Sequence, residues 1–183
     1  MNLQLASLEA GLDEIRRSPL DEGTVELIVR RPADNERETL AEARLDASAG
    51  LVGDVWLDED GDPARQVTMM NARVVALLAR SRDRWSLAGD QLYVDLDLSA
   101  RNLPPGARVQ VGSAVLELTG QPHRGCKKFA ARFGLDALRF VNSDLGYALN
   151  LRGINTHVVR SGVVRLGDTV RKLPPRVGRR LPD

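Results

Sequence analysis

The segment Gln121-Pro122-His123-Arg124-Gly125-Cys126-Lys127-Lys128 sets the only cysteine of the chain beside a histidine and three cations. Pro122 and Gly125 predict an irregular loop that bends tightly enough to present Cys126 at the entrance of a short helix. A thiol there feels the positive end of that helix, and Arg124, Lys127 and Lys128 favour the thiolate further. Such a sulfur is expected to act as a nucleophile, a soft metal ligand or a carrier of persulfide. The bland alternative is a buried cysteine packing as a small hydrophobe. The four polar or basic neighbours weigh against it. His123, three residues upstream, is expected to donate to a bound anion or to orient the thiolate.

Other constellations carry less. His157 alternates with Asn155 and Val159 in an apparent strand, as a packed strand histidine would. One cysteine and two histidines fall short of a structural zinc set, and no paired CxxC occurs. A Cys126-His157-Asp168 hydrolase or transferase with a covalent acyl intermediate can be drawn, but Asp168 sits in a Gly-Asp turn of the kind that is usually structural. Asp58-Glu-Asp-Gly-Asp62 suggests a calcium loop, yet its glycine comes too early and Met69 stands where the bidentate glutamate belongs, so a solvated turn is expected. Neither GxxxxGK[ST] nor a strand-linked GxGxxG is present.

These residues belong to a chain of 183 residues and 20.1 kDa. That length suits one domain able to bury roughly 70% of its unfolded surface without disulfide or metal. No apolar run approaches a membrane span, and the first residues lack a secretory leader. With a single cysteine, a reducing cytoplasm is the expected compartment. The net charge of +1 hides an asymmetry: residues 1–90 carry 11 Arg against 18 acids, while residues 118–183 carry 13 Lys or Arg against 4 acids. That basic segment attracts anions. Aromatic residues make up only 4% and no helix-turn-helix or zinc-finger pattern occurs, so a small anionic ligand is expected rather than nucleic acid.

The elements that must hold the loop are mostly strands. Leu5, Leu8, Leu12 and Ile15 predict one amphipathic helix closed by Ser18-Pro19, and Val25–Val29 a strand. Residues 36–46 suit either helix or strand. Gly50 and Gly53 bracket a turn before Val55-Trp56-Leu57, and Asn71 caps a helix reaching Arg80. Leu92, Val94, Leu96 and Leu98 alternate with Tyr93, Asp95 and Asp97, predicting a strand with one apolar and one wet face. Residues 108–111 and 114–118 form a hairpin across Gly112-Ser113. Phe129 and Phe133 mark a helix ending at Gly134, and a second helical turn follows at residues 137–141. Strands are predicted at residues 154–160, 163–164 and 169–173, ahead of an exposed tail. The fold class is mainly β with α decorations, a β-barrel.

Gly50-Leu-Val-Gly-Asp54, Pro104-Pro-Gly-Ala-Arg-Val-Gln-Val-Gly112, the run from Ala114 to Thr119 leading to Cys126, and Gly162-Val-Val-Arg-Leu-Gly-Asp168 together resemble the MOSC domain, named for the C-terminal part of molybdenum cofactor sulfurases. The resemblance covers about residues 43–173. It implies an N-terminal helix and strand extension over residues 1–42 packed on a MOSC-like β-barrel, and a C-terminal tail over residues 174–183. It also implies that Cys126 carries sulfur as a persulfide or ligates the molybdenum of a molybdopterin cofactor. Related amidoxime-reducing proteins use that cofactor to reduce N-hydroxylated compounds. Arg124, Lys127, Lys128, Arg152 and Asn155 are the expected cofactor-binding residues, with His123 beside the sulfur. No desulfurase sequence precedes this region, so pyridoxal phosphate is not expected in this chain. A cysteine desulfurase as sulfur donor, or a redox protein, is the expected partner. The competing function is a non-catalytic module for an anionic small ligand, in which Cys126 merely packs.

Overall fold

The structure, a computed structural model, describes residues 3–56 and 61–175. Leu57, most of the acidic turn at 58–62 and most of the tail lie outside the described residues.

Seven strands close a barrel: β1 (Glu22–Arg30), β5 (Val67–Asn71), β6 (Leu92–Asp95), β7 (Arg108–Val111), β8 (Ala114–Leu118), β9 (Ile154–Arg160) and β11 (Thr169–Lys172). Their order is β11-β7-β8-β9-β5-β6-β1, and Glu22–Thr24 of β1 pair with β11 to complete the ring. Residues 22–30, read from the sequence as part of an extension packed on the barrel, are thus one of its strands. The far end of β1 carries the short β2 (Glu38–Leu40). A second sheet, in the order β10-β3-β4, is built from β10 (Gly162–Arg165), β3 (Glu42–Asp46) and β4 (Gly50–Leu51). The ambiguous stretch 36–46 is therefore strand.

Alternation along the strands sorts side chains between two cores. Inward residues such as Ile28, Met69, Leu92, Val94, Leu116 and Val170 fill the barrel, joined by Leu45 and Leu51 from the second sheet. Outward residues Val29, Met70 and Tyr93 pack beneath helices with Trp85, Phe129, Phe133 and Phe140. Tyr93 is fully buried, so β6 is covered on both faces. The wet face expected from its alternation begins only at Asp95.

The helical layer comes from α1 (Leu5–Ala10), α2 (Leu12–Arg16), α3 (Ala72–Ala79), α4 (Lys127–Phe133), α5 (Leu135–Val141) and α6 (Asp144–Ala148). The single N-terminal helix expected from the apolar spacing is two, broken at Gly11, where a Cβ would lie 2.6 Å from a Leu77 methyl. α3 starts as its sequence predicts: the Asn71 side-chain oxygen accepts from the backbone N–H groups of Arg73 and Val74. Asn71 Nδ2 also donates to Ser18 Oγ at 2.8 Å and to Leu96 O at 2.7 Å, tying β5, β6 and the α2 exit together. β5 and β6 are parallel, so residues 72–91 must cross over the barrel surface, which puts α3 on its outer face.

Candidate functional site

One end of the barrel gathers charge. β1 runs out into Arg31, Asp90 and Gln91 lead into β6, and Arg152 leads into β9; Ile28 pairs with Leu92, and Leu92 and Ile154 both pair with Met69. Gly153 makes the entry to β9 possible. Its φ is +106°, and a Cβ there would lie 2.5 Å from Met69 O. Arg31 is fixed by Asp54: its Nε and Nη2 lie 2.9 and 2.6 Å from the carboxylate oxygens, and its backbone N–H donates to the same group. The side chain of Asp54 is fully buried, so the Gly50–Asp54 motif ends in an arginine clamp.

Cys126 lies at the N-cap of α4, as its loop predicts, and is exposed. The reading of a buried, packing cysteine is therefore wrong. It borders a recess of about 170 Å³ lined by Arg31, Arg37, Lys128, Arg132 and Arg152, with Asp34 the one acid among the described residues of its wall. Arg132 and Arg37 converge over Gly89, where a Cβ would lie 3.6 Å from Arg132 Nη1 and 3.9 Å from Arg37 Nη2. Burial, followed by repulsion from Arg132 and Arg31, pulls the Arg37 guanidinium below its usual range. The Nε atoms of Arg37 and Arg152 are buried without a hydrogen-bond partner. Crowded guanidinium groups with unused donors are the signature of a site shaped for an anion.

Beneath the recess, Asp90 is fully buried between Arg152 Nη1 at 2.6 Å and His123 Nε2 at 3.0 Å. Despite the cost of burial, the flanking Arg152 and His123 hold its carboxyl below the usual carboxylate range. His123 is pushed down, first by burial and then by the Arg152 charge, which outweigh Asp90. Its imidazole is thus neutral in the fold and donates Nε2–H to Asp90. On acidification the unfolded chain takes up a proton that the folded one refuses. Stability is expected to fall as pH drops below about 6.5, by up to about 1.4 kcal/mol per pH unit, until the folded imidazole protonates. Denaturant melts of the protein and of His123→Gln between about pH 7.5 and pH 5 check this; an unchanged slope in the variant would refute it.

Comparison with known families supplies the context. The MOSC domain matches residues 56–171. The chain belongs to the MOSC domain family. Three crystal structures share the MOSC fold seen here: a hypothetical protein (20% identity, TM-score 0.59, 84% of this chain and 68% of the other), the YuaD protein from Bacillus subtilis (18%, 0.58, 81% and 94%), and YiiM from Escherichia coli (18%, 0.55, 87% and 72%). No curated protein sequence matches the chain.

In this MOSC domain the expected site residues divide between two cavities. Cys126, Lys128 and Arg152 share the recess, with Lys128 Nζ 2.8 Å from Asp34. His123, Arg124 and Asn155 line a neighbouring cavity of about 360 Å³. His123 spends its hydrogen bond on Asp90, the carboxylate that also binds Arg152. Lys127 is exposed and lines neither cavity. The hydrolase triad is not assembled: His157 Nε2 lies 4.0 Å from Glu117 and Asp168 accepts from Arg165 N–H within its own turn. Arg31, Arg37 and Arg132 escaped the sequence reading, as did the buried Asp54 and Asp90. The one available signal was Asp54 itself, an acid inside a recognised motif that needs a cation once buried.

The family's association is with molybdenum cofactor, and the residues fit it. Among the described residues no three of His, Cys, Asp and Glu gather to hold a bare metal ion. A single exposed thiol suits a metal whose other ligands arrive on an organic cofactor, and the partnerless guanidinium donors suit that cofactor's phosphate.

Proposed function

We propose that this MOSC protein binds molybdenum cofactor in the basic recess, with the Cys126 sulfur as protein ligand to the metal. The observation that carries this reading is the sharing of one recess by an exposed thiol and five basic side chains. When bound, the cofactor supplies two-electron redox chemistry of the kind that reduces N-hydroxylated compounds. The protein's own contributions are positional. Arg37, Arg132, Arg152 and Lys128 hold the phosphate, the Asp54 clamp keeps Arg31 at the rim, and the Asp90–His123 pair orients Arg152. Arg124 and Asn155 line the adjoining cavity rather than the recess, so neither is assigned to the phosphate. An electron donor protein is then the implied partner.

The exposure of Cys126 also favours a second reading, sulfur carriage. A cysteine desulfurase bearing a persulfide would be the donor. The Cys126 thiolate attacks the outer sulfur, the donor's S–S bond breaks, and the donor leaves as a thiolate while Cys126 keeps the new persulfide. Both readings place the protein in a reducing compartment such as the cytoplasm; among the described residues no helix is long and apolar enough to cross a membrane.

Expression in a host that makes molybdenum cofactor, followed by metal analysis and intact mass, separates the two. Molybdenum near one atom per chain supports the first, and an adduct of about 32 Da (one sulfur atom) supports the second. Protein with neither overturns both.

A further inference from the structure

The second cavity, of about 360 Å³, has a character opposite to the recess. Its walls are largely apolar, with Leu103, Leu118, Ile154 and Tyr147 among them, and its volume is that of a small-molecule site. Several of its polar side chains are engaged. Thr119 Oγ1 donates to Ala64 O, Asn150 Nδ2 donates to Leu98 O, and His123 is held by Asp90. The Arg124 guanidinium lies over the Tyr147 ring, 5.1 Å from its centre.

Among the described residues of this lining, Asn155 alone has a buried side-chain polar atom without a partner. It is 2% exposed, and its Nδ2 donates to Gln121 O at 3.0 Å. That bond fixes the orientation of the amide, because a carbonyl can face only the NH₂ end. Asn155 Oδ1 is left buried with no partner. A buried acceptor beside an apolar cavity requires a donor, and the open volume is where that donor can enter. A cation is disfavoured by Arg124 at the mouth. An anion is disfavoured at Asn155 itself, because a carboxylate carries only acceptors and has no N–H to give Oδ1.

We propose that this cavity is a binding site for an uncharged ligand with an N–H donor on a flat apolar body, the class of neutral carboxamides, with its N–H on Asn155 Oδ1. The site stands independently of what Cys126 carries. It flanks the same Gln121–Cys126 loop as the recess and is linked to it through His123, Asp90 and Arg152.

Benzamide is the probe, followed by saturation-transfer NMR and titration on the protein without added metal. Methyl benzoate keeps the ring and carbonyl but has no N–H; benzoate adds a charge. Benzamide is expected to bind about fivefold or more tightly than either. Asn155→Leu should abolish that preference. Tyr147→Ala, at a residue 37% exposed, should weaken benzamide and methyl benzoate together and decides the matter if Asn155→Leu fails to fold. Cys126→Ser should bind benzamide unchanged, which separates this site from the fate of the sulfur. The proposal is overturned by equal or tighter binding of methyl benzoate or benzoate, by a preference that survives in folded Asn155→Leu, by indifference to Tyr147→Ala, or by no benzamide binding up to about 10 mM.

Discussion

Cys126→Ser is expected to fold normally and to lose at least about tenfold of the molybdenum retained by the unaltered protein, together with any sulfur adduct. The side chain is exposed and does not cap α4, so its replacement by an isosteric hydroxyl removes no core contact. Surface substitutions of that kind shift stability by no more than about 0.5 kcal/mol. A hydroxyl, in contrast, is harder and far less acidic than a thiol, which makes it a poorer ligand in place of the thiolate and no carrier of persulfide. Metal analysis beside thermal melts separates the two effects. Retention of molybdenum by Cys126→Ser would place the metal's anchor elsewhere.

Arg152→Met is expected to cost about 3–5 kcal/mol, read by denaturant unfolding, because it strands the fully buried Asp90 carboxylate. Arg152 is 7% exposed and contributes two hydrogen bonds here, to Asp90 and to Ala88 O, and its guanidinium stacks over Phe129 at 5.0 Å. Methionine keeps much of that packing, so the loss reports the charge. Adding Asp90→Asn should return a large part of the stability, since the uncompensated charge is then gone. A cost below about 1 kcal/mol for the single variant, or no recovery in the double, would show that the buried pair is not what holds the recess floor. The same variant tests positioning: without Arg152, His123 is relieved of its main repelling charge, so the acid-side loss of stability should shrink.

Features set by neighbours in the chain were readable from the sequence. The 108–118 hairpin, the Asn71 cap, the helix over Phe129 and Phe133 and the strand at 154–160 all follow from local spacing and turn chemistry. So did the exposed position of Cys126. The second side of the site was not readable. Arg31 and Arg37 come from the acidic first half of the chain, and only barrel closure brings them to Cys126. The charge of a segment therefore says little about the charge of the site it helps build. Tyr93 was misread for a related reason: alternation reports one apolar face, but the crossover at 72–91 covers the other. Asp54 and Asp90, each following a glycine, look like solvated turn residues until their arginines are placed.

The pairing of β1 with β11 joins residues 22–24 to residues 169–171. The ring cannot shut until the ribosome has delivered the last of its strands, and contacts so distant in the chain form late and slowly. Arg31 sits just beyond the first of those strands and Arg152 just before β9, so neither half of the binding recess exists on a shorter nascent chain. If Cys126 holds cofactor or sulfur as proposed, loading must wait for the finished barrel, and a donor would have to recognise the assembled rim rather than any linear stretch of the polypeptide.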